Sequence, residues 1–386
     1  MSNYLENKTI LLISPEAWGP IKVSKHHYAT YLSKKNKVYF LNPSLPAKKS
    51  LSKFKIQVEK INDGLSILSY RNILPKLNQF PKTIQKLIYA FQAKKIQAWI
   101  PEPIDIVWTF DPYRYWDQGC WKVGKHIYHS VDVHFSKGYE NIMAQTSNLV
   151  FINSEILRAN LEKFNQRVFK INHGTDIDQL TKAIEFKPNL PGKNKLKAGL
   201  VANFNHNIDF DLIGKMAEEN PTIDFIMIGP YRTNNLGITD QTIFKEIETL
   251  KKLSNVFFIG GIDSDQIKNY LDVLDINLVL YKESKTWSKN NTSRDGIIIN
   301  PHKIMAYLFS GKLLVSSFIH EYCENYQEVI IMSKANSELP ELIKKAASQI
   351  DYYNGPELIQ KRIGVAIANS YDNQIKKIGT IIQNEG

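Results

Sequence analysis

Short apolar runs of four to six residues alternate with longer amphipathic stretches twice along this chain, and a Lys/Pro/Asn-rich segment at 186–197 separates the two blocks. That alternation narrows the fold more than any single motif does. A run such as Thr-Ile-Leu-Leu-Ile at 9–13 has no polar face, which suits a strand covered on both sides in a parallel sheet. In the first block we expect strands at 9–14, 37–42, 65–69, 104–108, 125–129, 149–153 and 169–172, with helices at 23–34, 83–100 and 154–164. In the second, strands are expected at 197–202, 223–228, 256–259, 276–280 and 313–316, with helices at 210–219, 264–274 and 303–309. The implied class is α/β, with two Rossmann-like domains facing each other across a cleft. With 386 residues, the chain is long enough for two such domains.

Several chemistries lack their usual residues. No G-x-G-x-x-G follows a strand, and Walker A, H-E-x-x-H, C-x-x-C and G-x-S-x-G motifs are missing. Dehydrogenase, nucleotide triphosphatase, zinc hydrolase and serine hydrolase readings lose their support, and no metal or cofactor is expected. Cys120 and Cys323 stand alone and far apart, as in a reducing cytoplasm. No apolar run has the length of a membrane span or a signal peptide.

The positive charge is localised. The whole chain carries +11, yet residues 1–100 alone hold 17 basic and 4 acidic side chains, and the remainder is slightly negative. An excess confined to one segment points to an anionic partner, either nucleic acid or acidic lipid. No nucleic-acid module is recognisable, so nucleic acid is the weaker choice.

Asn-Pro-His-Lys-Ile-Met-Ala-Tyr-Leu-Phe-Ser-Gly-Lys-Leu-Leu-Val at 300–315 carries the densest signal. Pro301 near a helix start and Lys303 in its first turn suit an anion, and Gly311 is placed to end the helix. Other landmarks follow the same order as in a known family. Ile-Asn-His-Gly-Thr-Asp at 171–176 looks like its "P-N-G-V-D" junction, and Gly-Leu-Val-Ala-Asn-Phe at 199–204 like its "G-Y-x-G" strand. Residues 225–230 are similar to "F-V-L-I-G-P", and 255–260 with 270–277 to "N-V-x-F-x-G … Y-L-x-x-x-D-V". Residues 301–315 resemble "P-x-K-x-x-E-Y-L-A-x-G-K-P-V-V", and 368–372 the final "A-x-x-x-S/T-W" helix. In this order the chain resembles the family-4-type glycosyltransferases of GT-B architecture, particularly bacterial enzymes of cell-surface polysaccharide synthesis.

The resemblance implies an acceptor domain at 1–180, a nucleotide-sugar donor domain at 181–365, and a C-terminal helix at 366–386 crossing back to the first domain. It implies sugar transfer to a saccharide or lipid-linked acceptor, usually retaining and without a metal. Carried over by position, Asn203, Phe204 and Gly229 would line the donor pocket, and Gly260 and Gly261 would let backbone approach the base. Pro301 and Lys303 would sit at the diphosphate, with Lys282 and Arg294 as further phosphate candidates. His126-Ile-Tyr-His-Ser-Val-Asp-Val-His134 resembles the "Y-D-x-x-D-D" segment, which makes Asp132 the candidate base or acceptor-hydroxyl partner, with His129 and His134 placed to shift its pKa or share the work. Trp18, Gly19, Lys25 and His26 flank the loop expected to hold the acceptor. One departure stands out: Ala306 and Ile298 occupy the places of the family's two glutamates, so either Asp295 or another group substitutes, the donor is held differently, or the domain has lost activity.

Residues 76–100 mix lysines with Phe80, Ile84, Leu87, Ile88, Phe91 and Trp99. On a helix, Ile84, Leu87, Ile88 and Phe91 share one face. That face either packs on the core, leaving a wet basic edge, or lies on an anionic membrane, which would make the protein peripheral. Beside the transferase reading stand a catalytically silent GT-B domain serving as a binding or scaffold subunit, and a GT-B sugar-nucleotide epimerase.

Overall fold

The computed structural model describes residues 4–20, 22–46, 54–134, 138–182, 186–231, 241–283, 299–324 and 326–385. They form two compact units: residues 1–174 with 371–386, and residues 175–370.

In the first unit, eight strands build one sheet: β1 (Thr9–Ile13), β2 (Lys37–Leu41), β3 (Ile56–Lys60), β4 (Leu65–Tyr70), β5 (Ile106–Thr109), β6 (Lys125–Ser130), β7 (Leu149–Ile152) and β8 (Val168–Lys170). Their order is β3-β4-β2-β1-β5-β6-β7-β8, parallel except for β3 against β4. The central strands β1, β5 and β7 are buried at every position, which is why they read as unbroken apolar runs. The antiparallel edge strand β3 was not expected. Its residues Gln57, Val58, Glu59 and Lys60 are exposed, so hydrogen bonding to β4 holds it and no apolar signal marks it.

Three helices of this unit matter below: α1 (Ser24–Leu32), α2 (Lys82–Trp99) and α3 (Tyr139–Thr146). The C-terminal helix Tyr371–Glu385 belongs to the same unit, with Tyr371, Ile375, Ile378 and Ile382 in one core cluster with Ile10, Leu12, Tyr28 and Trp108. A Cβ on Gly174 would lie 2.3 Å from the Tyr371 ring, so only glycine fits beneath it.

The second unit has six parallel strands: β9 (Leu196–Val201), β10 (Ile223–Ile228), β11 (Val256–Gly260), β12 (Ile276–Val279), β13 (Leu313–Ser317) and β14 (Ile330–Ser333), in the order β11-β10-β9-β12-β13-β14. Helix Phe210–Glu219 begins where the Asp209 carboxylate accepts the Leu212 N–H at 3.0 Å. The first and last residues of this unit, Thr175 and Ser370, form a parallel bridge.

In each sheet the strand order reverses at one point, between β1 and β5 in the first and between β9 and β12 in the second. Open parallel sheets bind ligands beyond the carboxyl ends of their strands at such switch points. Among the described residues, no helix is long and apolar enough to cross a membrane.

Candidate functional site

Each unit carries a cluster of polar side chains at its switch point. In the second unit the cluster centres on Lys303, the first residue of helix Lys303–Phe309. Its Nζ donates to the Val201 carbonyl at 3.1 Å and lies 4.9 Å from the centre of the Tyr281 ring. The Tyr307 hydroxyl donates to the same carbonyl at 3.0 Å. Among the described residues no carboxylate pairs with the Lys303 ammonium, and burial lowers its pKa to about 7. Burial also raises the Tyr281 hydroxyl to about 12, so it stays a neutral donor. The end of β9 therefore presents an amine held among an aromatic ring, a phenol and a carbonyl.

The other donor-side candidates distribute around it. Asn203 is exposed in the loop after β9. Phe204, expected to line a pocket, is instead 1% exposed and packs with Phe210 and Phe258, so it supports the wall from within the core. The Gly229 N–H donates to the Gly260 carbonyl at 2.7 Å, which joins the ends of β10 and β11. Gly260 has φ +88°, and a Cβ there would meet nothing within 4 Å, so its face is open. Gly261 is similarly unobstructed, with Pro230 no nearer than 3.6 Å. Pro301 is half-buried, and its carbonyl accepts the Ile304 N–H at 3.2 Å. Lys282 is exposed just after β12. Ala306 packs on the core, so no carboxylate stands at that place. Arg294, Asp295 and Ile298 lie outside the described residues.

In the first unit the loop after β1 is internally tied. The Val23 N–H donates to His26 Nδ1 at 3.1 Å, which places the proton on Nε2, and Nε2 donates to the Ala17 carbonyl at 3.0 Å. Both ring nitrogens thus clip the loop together, and burial lowers the pKa of this imidazole. His26 was expected to serve an acceptor, but with both nitrogens spent on the loop it has no donor left for one. Lys25 pairs with Glu16 at 3.0 Å. Trp18 rests edge-on against Phe40, with the Lys22 ammonium 3.4 Å from its ring centre. Gly19 follows it in the open part of the loop, with only the Ala17 carbonyl near its Cβ position.

His129 ends up 1% exposed at the end of β6, stacked on Phe110 and flanked by Tyr28, Trp108 and Phe151. Burial holds its pKa well below the usual value, so the imidazole is neutral. Asp132 is exposed in the segment beyond β6. Beside it the structure adds a group with no distinguishing sequence signal. Glu140, in the first turn of α3, accepts the Tyr128 hydroxyl at 2.6 Å and the Ser130 hydroxyl at 3.0 Å. Burial lifts its pKa to about 7, with the nearby Asp132 adding to the rise. Arg114 likewise carries no local sequence signal, since most of its partners lie far along the chain. Its guanidinium donates to Asp111, to the Asn42 carbonyl at 2.8 Å, to the Tyr70 hydroxyl at 3.0 Å and to the Ser14 carbonyl, tying together the ends of β1, β2, β4 and β5. Among the described residues, no group of three His, Cys, Asp or Glu side chains could hold a metal ion.

Solved structures share this fold over nearly the whole chain. "Trehalose-6-phosphate from E. coli bound with UDP-2-fluoro glucose" superposes with a TM-score of 0.70 at 12% identity, covering 97% of this chain and 98% of that one. The sucrose-phosphate synthase of Thermosynechococcus elongatus gives 0.66 at 12% identity over 98% and 99% of the two chains. A glycosyltransferase from Rickettsia africae gives 0.65 at 16% identity over 98% of each. This chain has the GT-B fold.

At these identities the likeness to GT-B structures concerns the fold alone. No protein-family model matches. A curated relative, "Putative teichuronic acid biosynthesis glycosyltransferase TuaH" of Bacillus subtilis, is 22% identical over 205 residues, 49% of this chain and 47% of that protein. The match spans about half the length of that relative.

Proposed function

We propose that this GT-B chain moves a sugar from a nucleotide-sugar donor, held on the second unit, to a saccharide or lipid-linked acceptor held on the first. The setting is cytoplasmic synthesis of a cell-surface polysaccharide. One observation carries the reading: the Lys303 amine sits at the switch point of the second sheet with no carboxylate partner among the described residues. A diphosphate would supply the missing negative charge. The departing nucleotide diphosphate gains charge in the transition state, where a fixed cation and the Tyr281 hydroxyl help most. Asp132 is the acceptor-side carboxylate, with the buried Glu140 carboxyl close enough for the two charges to repel. The name of the curated relative and the UDP-sugar bound to the E. coli neighbour support the reading. Retention of configuration, and transfer without a metal, rest on the family resemblance.

A silent GT-B domain acting as a binding subunit is the second reading, favoured by Ala306 where a donor-binding carboxylate would stand. Thermal shift against a panel of nucleotide sugars tests the proposal, because a ligand of the folded state raises Tm by mass action. We expect one nucleoside diphosphate series to raise Tm in the wild type and to lose that effect in Lys303→Met. A well-folded wild type that responds to none of them favours the silent domain.

A further inference from the structure

Helix α2 packs on the first unit through a partly polar face and turns its apolar stripe outward. Buried on its inner side are Gln85, Tyr89, Gln92, Ala93 and Ile96. Both glutamines are satisfied there. Gln85 Nε2 donates to the Phe80 carbonyl at 2.7 Å and to the Tyr139 hydroxyl at 3.0 Å, and its Oε1 accepts Trp116 Nε1–H at 3.3 Å. Gln92 Oε1 accepts the Tyr115 hydroxyl at 3.4 Å. On the outer side Ile84 is 38%, Leu87 71% and Phe91 47% exposed, a stripe at helical spacing that Phe80 and Trp99 extend at either end.

Large apolar side chains gathered on one exposed face mark a surface that something covers. Charge indicates what covers this one. Residues 64–101 contain no Asp or Glu and six basic side chains, Arg71, Lys76, Lys82, Lys86, Lys94 and Lys95. A second copy set against this face would bring lysines onto lysines, whereas an anionic surface complements them. Lys86 is held by Asp117 at 2.6 Å, but Lys94 and Lys95 are exposed beside the stripe, with the Lys95 ammonium 5.5 Å from the Phe91 ring centre. Apolar side chains flanked by lysines are the composition of a helix lying in a membrane interface, its ammonium groups reaching the headgroups.

We propose that the outer face of α2, centred on Leu87, docks this chain onto a lipid bilayer containing anionic headgroups. The inference stands apart from the transferase reading, since it needs neither donor nor acceptor.

The test is vesicle flotation of the full chain with phosphatidylcholine vesicles containing about one-third phosphatidylglycerol, against phosphatidylcholine alone, at low and high salt. The wild type should float with the anionic vesicles, weakly or not at all with the neutral ones, and less at high salt. Lys94→Gln/Lys95→Gln should weaken binding by about tenfold or more, given about fivefold per lysine near an anionic surface. Leu87→Gln/Phe91→Gln should weaken it at least as much with only a small change in Tm, because Leu87 is mostly and Phe91 about half exposed. Phe244→Gln, at an exposed position of the second unit, serves as the control and should bind like the wild type. The proposal fails if the wild type ignores anionic vesicles or if the Leu87/Phe91 variant still binds. It also fails if sedimentation shows a dimer that this variant dissolves, which would make a second copy the occupant.

Discussion

The Nζ of Lys303 and the carbonyl oxygen of Val201 lie 3.1 Å apart, at the point where the second sheet reverses its strand order. The carbonyl also accepts the Tyr307 hydroxyl, so it alone cannot balance a full positive charge. Among the described residues this amine is therefore a destabilising element with a use. Lys303→Met keeps the length of the side chain and removes the buried charge. We expect the variant to melt at or above the wild-type temperature while its affinity for the nucleotide sugar falls at least tenfold. Thermal denaturation and calorimetric titration on the same samples separate the two effects. A variant that binds as tightly as the wild type would remove Lys303 from the donor site.

The same residue sets a pH dependence. A folded-state pKa of about 7, against the usual value near 10.5, means that the unfolded chain binds the extra proton between those limits. Stability from this group therefore rises with pH from about 7 towards 10.5, by on the order of 3 kcal/mol between pH 6.5 and 9. Urea denaturation at pH 6.5 and 9 should show that increment in the wild type and not in Lys303→Met. Binding runs the other way. A nucleotide sugar favours the ammonium, so its affinity should fall about tenfold between pH 6.5 and 8.5 as a proton must be recruited.

Glu140 gives the opposite slope. Its folded pKa of about 7 lies above the usual carboxyl value, so the native state holds a proton that the unfolded state has lost between pH 4.5 and 7. The contribution is present below pH 4.5 and disappears as pH rises through 7. Glu140→Gln keeps an oxygen to accept the Tyr128 and Ser130 hydroxyls and has no charge to desolvate. The variant should match the wild type near pH 5 and exceed it by about 1–3 kcal/mol near pH 8. Equal stabilities at both pH values would show that the carboxyl is already solvated.

How much of this was readable in advance depends on where each signal is stored. Strands β1 and β10, buried at every residue, write their environment into an unbroken apolar run. Strand β3 does not, because its hydrogen bonds to β4 are made by backbone that any sequence supplies. Helix α2 shows the limit of periodicity. Spacing places Ile84, Leu87 and Phe91 on one face, but the core side is decided by whether Gln85 and Gln92 find partners, and those come from Tyr139, Trp116 and Tyr115 far along the chain. Lys303 was legible from its motif. Its neighbours Val201 and Tyr281 arrive from two other strand ends, and no local pattern announces them.

Two glycines shape the backbone where β10 ends beside β11. Gly229 has φ +144°, and a Cβ there would sit 1.8 Å from the Ala202 carbonyl oxygen, a contact that only a backbone shift could relieve. Gly260, its hydrogen-bond partner, has φ +88° with open space around the Cβ position, so alanine there meets torsional strain and no clash. Gly229→Ala should cost more than about 3 kcal/mol and Gly260→Ala about 1–2 kcal/mol. The ordering, read from urea midpoints, is the decisive quantity. If Gly260→Ala proved the more damaging, the loop between β11 and the following helix would have to pack more closely than this structure has it. The milder variant then serves a second purpose. Its methyl group projects into the open space beside the switch point, so reduced nucleotide-sugar binding at nearly native stability would place the ligand's path against Gly260.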